Sequence, residues 1–83
     1  MPEVSQHVIS QLAFGAFRYA LGGRQTHYVS TCVGCIIAVL PHICEPDRTL
    51  MVTEIAEAIQ RGQAGMECDV AEWRKLLERL KEL

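Results

Sequence analysis

The stretch DVAEWRKLLERLK, residues 69–81, decides the fold class. Val70, Trp73, Leu76, Leu77 and Leu80 recur at intervals of three and four, the spacing that gathers side chains on one side of a helix. Glu72, Lys75, Glu78 and Lys81 fall between them with alternating sign, so the opposite side reads as a solvated surface laced with ion pairs. Asp69 with Glu72 three residues on is an acidic variant of the capping box and predicts a helix capped at Asp69.

Upstream, the same periodicity returns. Asp47 reads as the cap of a helix over residues 48–61, with Leu50, Met51, Ile55, Ala58 and Ile59 facing inward and Gly62 as its stop. Ser30 reads as the cap of a helix running to Leu40, closed by Pro41. The β-branching of Val29, Val33, Ile36, Ile37 and Val39 keeps a buried strand open as the competing assignment. Over residues 4–21, the apolar side chains Val8, Ile9, Leu12, Ala13, Ala16, Phe17 and Ala20 form one broad helical stripe, with His7, Gln11 and Arg18 opposite and Gly22-Gly23 at the end. The connections cover roughly residues 22–29, 41–46 and 62–68 and are too short to separate domains. The expectation is an all-α, compact single-domain bundle of about four short helices over residues 1–83.

Composition narrows the function classes. With 83 residues the chain can enclose one hydrophobic core and no catalytic partner domain. Hydrophobic residues at 49% and charged residues at 22% belong to a globular chain. A net charge of −2 supplies no basic excess to hold a phosphate backbone, so direct nucleic-acid binding is not expected. Residues 1–44 carry only Glu3, Arg18 and Arg24, and the other fifteen charges follow. The longest apolar run, residues 33–40, is far short of the ~20 residues of a membrane span. Glu3 and His7 stand where a secretory leader needs basic residues, and a cytoplasmic location in a bacterial host is expected.

Cys32-Val33-Gly34-Cys35, then His42 and Cys44, makes the pattern C-x2-C-x6-H-x-C. Two cysteines three apart on a helix supply half of a tetrahedral zinc shell, but the usual second pair downstream is missing and only Cys68 remains. A redox pair needs its first cysteine at an exposed helix N-terminus. Lying among Val33, Ile36 and Ile37, these cysteines read first as reduced core residues, with a metal site or a disulfide or redox pair as the alternatives. No cofactor is expected. No phosphate-binding loop, dinucleotide fingerprint, zinc-protease or nucleophile-elbow motif occurs, and Glu54 and Glu57 read as a solvated face in which Glu57 pairs with Arg61. An enzyme is not expected.

Between Phe14 and Tyr28 the chain places Arg18, Arg24 and a series of aromatic residues around a helix end and a loop, the residue types that anchor protein interfaces. Ala20-Leu21-Gly22 followed by Arg24-Gln25-Thr26, and Cys68-Asp69 with Trp73 and Leu76-Leu77, resemble the A-L-G-R-x-T and C-D-x-x-x-W-x-x-L-L signatures of small phage- and prophage-encoded proteins. The chain departs from that pattern by the extra Gly23 and by His27. In character it is similar to anti-CRISPR inhibitors, which implies a stoichiometric protein that binds a host assembly, such as a type I CRISPR surveillance complex, and blocks recognition of target DNA. Two partner-binding surfaces stand as alternatives: Arg18, Arg24 and Tyr28, or an acidic face of Asp47, Glu54, Glu57, Glu67, Asp69 and Glu72 acting as a DNA mimic. A self-associating helical scaffold, a homodimer for example, is the reading from another class, with a Cys/His metal-binding regulator behind it. The cysteine spacing generates one test: native mass spectrometry of purified protein is expected to find no stoichiometric zinc, and one zinc per chain with unfolding on chelation would overturn that expectation.

Overall fold

The β-branched run between residues 29 and 40 folds as a helix. The computed structural model describes residues 6–22 and 29–82. In chain order α1 spans Gln6–Gly22, α2 Val29–Ala38, α3 Asp47–Gln60 and α4 Glu67–Lys81, with a 3-10 turn at Leu40–His42. Val29, Val33 and Ile36 are buried along α2, and Leu40 continues the spacing within the turn. Inward positions three and four apart bury their side chains on one helix face, whereas a lone strand would leave its backbone unpaired, so packing overrides β-propensity. Pro41 occupies the start of the 3-10 turn, and α2 ends at Ala38 rather than Leu40. The described residues form an all-α bundle of four helices and contain no strand. No helix among them is long and apolar enough to cross a membrane.

Helices α1 and α4 each pack against both α2 and α3, which places them on a diagonal. Phe17 of α1 and Trp73 of α4 meet across that diagonal, edge to face, with ring centroids 5.6 Å apart. Phe14 stacks on Phe17 at 5.9 Å. Val33, Ile36, Met51, Ile55 and Leu76 join Phe17 and Trp73 in the buried cluster. The α4 stripe is as the sequence predicts: Trp73, Leu76 and Leu80 are buried, with Val70 and Leu77 half-buried beside them.

The inward face of α1 differs from the predicted stripe. Ser10, Ala13 and Phe17 are buried, while Val8, Leu12 and Ala16 are exposed, Leu12 at 68%. A polar contact locks this rotation. Ser10 Oγ donates to Asp47 Oδ2 at 2.7 Å and accepts the backbone N–H of Cys44 at 2.9 Å, so the hydroxyl has to lie between α1 and the start of α3. Turning Ser10 inward turns Leu12 outward, because the two lie about 200° apart around a helix. Leu50 of α3 is likewise exposed, whereas Met51 and Ile55 fill the predicted core positions.

Three expected caps are corrected. Helix α2 opens at Val29, so Ser30 is its second residue. Asp47 is the first residue of α3 and accepts from Ser10; the Thr49 N–H instead donates to Glu45 Oε1 at 3.2 Å. Asp69 is the third residue of α4, which opens at Glu67, and its Oδ2 accepts the Met66 N–H at 3.0 Å. Glu72 therefore plays no part in a capping box and pairs with Lys75 at 3.0 Å. Gly65 makes this arrangement possible, since its φ is +94° and a Cβ there would lie 2.6 Å from Asp69 Oδ2. Gly62, at φ +70°, ends α3 as expected: its N–H donates to the Ile59 carbonyl at 3.1 Å and the Gln63 N–H to that of Ala58 at 2.8 Å.

Two substitutions separate the apolar from the polar contribution. Trp73→Ala, at a residue 1% exposed, is expected to cost about 3–5 kcal/mol in denaturant unfolding. Ser10→Ala should cost about 1–3 kcal/mol by removing the buried hydroxyl that donates to Asp47 and accepts from the Cys44 N–H. A Ser10→Ala variant as stable as the parent would remove the hydroxyl as the lock on the rotation of α1.

Candidate functional site

The fold joins two groups of residues that the sequence left as rival surfaces. Arg18 leaves α1 on the side facing α3, where its guanidinium lies 3.6 Å from Glu54 Oε1 and 5.7 Å from the centre of the Phe14 ring. One turn further along α3, Glu57 and Arg61 approach to 4.0 Å. These four charged side chains line one open cleft of about 440 Å³ together with Leu21 and Ala58. Both ion pairs are solvated and individually contribute little to stability, about 0–1 kcal/mol, so they can exchange partners at small cost. The cleft presents cations and anions side by side rather than a line of one sign.

The remaining acidic candidates serve other ends. Asp69 is buried as a receptor for the Met66 N–H, and Asp47 is half-buried against Ser10. Glu72 is held by Lys75, and Glu67 is exposed in the first turn of α4. Of the six carboxylates, only Glu54 and Glu57 line the cleft. Arg24 and Tyr28 lie outside the described residues. Arg61 is a cleft residue that the sequence reading treated only as the helical partner of Glu57; its position relative to Arg18 is set by how α1 packs on α3.

A second surface escaped the sequence reading because its residues were assigned to the core. Ile9, Leu12 and Ala16 of α1, Cys35 of α2 and Val39 just beyond it line an almost wholly apolar trough of about 280 Å³. The available signal was the width of the α1 stripe, which holds more apolar positions than one buried flank can take.

The thiols belong to the core only in part: Cys32 packs half-buried against it, whereas Cys35 and Cys68 do not. All four cysteines are unbridged; Cys35 and Cys68 are exposed, and Cys32 and Cys44 are half-buried. Cys32 Sγ donates to the Ala16 carbonyl at 3.4 Å and Cys68 Sγ lies 4.0 Å from Asp69 Oδ1. Burial, and secondarily the neighbouring Cys35, pushes the Cys32 thiol above its ordinary pKa, the reverse of what an activated redox cysteine requires. Among the described residues, no three His, Cys, Asp or Glu side chains gather as a metal centre needs.

Compared with known proteins, the chain matches no family model, no curated protein and no solved structure.

The raised Cys32 pKa generates a labelling prediction. The thiolate is the reactive form, so at neutral pH iodoacetamide should modify exposed Cys35 and Cys68 before Cys32. Labelling of Cys32 should keep accelerating as the pH rises toward its elevated pKa; peptide mass spectrometry showing Cys32 labelled first at neutral pH would contradict the assignment.

Proposed function

We propose that this protein acts by binding another protein stoichiometrically, as an inhibitor of the phage type, through the mixed-charge cleft between α1 and α3. The single observation that supports this reading is the convergence of Arg18, Glu54, Glu57 and Arg61 on one open surface. Such a cleft recognises a partner of complementary mixed charge: its carboxylates accept from basic side chains while its arginines donate to carboxylates in fork geometry. The candidate target is a type I CRISPR surveillance complex of a bacterial host, whose access to target DNA the bound inhibitor would block. Protein contact is favoured over phosphate mimicry because Asp47 and Asp69 are spent on hydrogen bonds within the fold and each cleft carboxylate has an arginine beside it. Binding is favoured over catalysis because the thiols of Cys32 and Cys68 are directed to a carbonyl and a carboxylate and not to an imidazole base.

The test is a titration of purified protein into a type I surveillance complex, read by target-duplex binding. Inhibition is expected to saturate at a fixed stoichiometry, and reversing Glu54 and Glu57 together to lysine should slow association at least about tenfold, with circular dichroism confirming the fold. Undiminished DNA binding at about tenfold molar excess of the wild type would remove this target. Full inhibition by the double reversal would remove the cleft as the contact.

A further inference from the structure

The outward side of α1 is uncharged. Leu12 and Tyr19 are exposed at 68% and 72%, Ala16 is exposed between them, and Gly15 has open space where its Cβ would stand. Leu12, Gly15 and Tyr19 are spaced by three and four residues, the interval that keeps a narrow seam facing a second helix. A glycine in the interior of a helix weakens it, and among the described residues no atom outside its own helix backbone approaches Gly15 closely enough to require one. Beside the seam lies the apolar trough lined by Ile9, Leu12, Ala16, Cys35 and Val39. Across α1 and α2 together the sole charged residue is Arg18, which is turned to the other flank and paired with Glu54.

We propose that this face is where a second copy of the same chain docks, giving a two-fold symmetric dimer. Three features select that occupant. Among the described residues the face offers no charge with which to attract a charged partner, and a second copy brings an equally neutral surface, so pairing sets no like charges against each other. The patch is also self-complementary, because it carries both a projecting leucine and a trough with room for one; a two-fold axis seats Leu12 of each copy over the trough of the other. Gly15, near the middle of the seam, lets the two α1 backbones approach closely. The size suits a reversible pair. A helix of 17 residues is about 25 Å long and one of 10 residues about 15 Å, each about 10 Å wide, so each copy contributes roughly 400 Å² in projection. That is the scale of a weak, exchanging interface rather than an obligate one. The charged cleft lies on the opposite flank of α1, so the dimer displays two clefts and does not depend on what they bind.

Sedimentation velocity under reducing conditions tests this over about 10–500 μM. The wild-type mass is expected to rise with concentration toward twice 9.3 kDa. Leu12→Glu should hold the protein monomeric throughout, and Ala16→Glu should do the same should the first variant lose its helical circular dichroism. Glu78→Lys, an exposed change on α4, should dimerise as the wild type does. A wild type that stays monomeric over the whole range overturns the proposal and leaves the face to another occupant, and a well-folded Leu12→Glu protein that still dimerises overturns the assigned surface.

Discussion

Phe17 and Trp73, set edge to face at 5.6 Å, are the contact on which the remaining geometry hangs. They belong to helices on opposite corners of the bundle, and both rings are withdrawn from water, so neither helix can rotate without exposing a large aromatic surface. With Phe17 inward, Ala13 and Ser10 follow on the same side of α1. Arg18, one residue beyond Phe17, is carried about 100° around the helix to meet Glu54 of α3, and Leu12 and Tyr19 are carried outward. One aromatic contact thus decides which flank of α1 is charged and which is apolar.

Polar hydrogen bonds then lock that rotation where apolar packing would be permissive. The Ser10 hydroxyl is fully withdrawn from water yet satisfied as both donor and acceptor, bridging residues more than thirty positions away in sequence. Asp69 performs a comparable task at the other end of the molecule, where Gly65 lets the turn close onto its carboxylate. Such contacts are directional, unlike the apolar core, and losing one partner strands the other without water. They define the register in which α1 meets α3 and α4 leaves its turn.

The outcome is a molecule with unequal halves. Helices α1 and α2 supply much of the core and carry a single charge between them, whereas α3 and α4 carry closely interleaved charges of both signs. An apolar surface favours contacts that exclude water, and a mixed-charge one favours contacts that stay solvated and tunable by salt. Placed on opposite flanks of α1, the two surfaces can be engaged at once.

Residues 69–81 determined the helical class unaided, because a period of three and four with alternating charges between has one low-energy solution. Gly62 was equally legible, since its role needs only a left-handed residue at a helix end. What the linear pattern could not decide was which part of a broad apolar stripe faces in. Val8, Leu12 and Ala16 have the same local signature as Ala13 and Phe17, and only partners on other helices distinguish them. Asp47 and Asp69 carry the local signature of caps but answer to Ser10 and to the turn at Gly65. The charged cleft was hidden for the same reason. Arg18 and Glu54 are 36 positions apart, and their meeting rests on the packing of α1 against α3, a long-range arrangement that no window of local sequence contains.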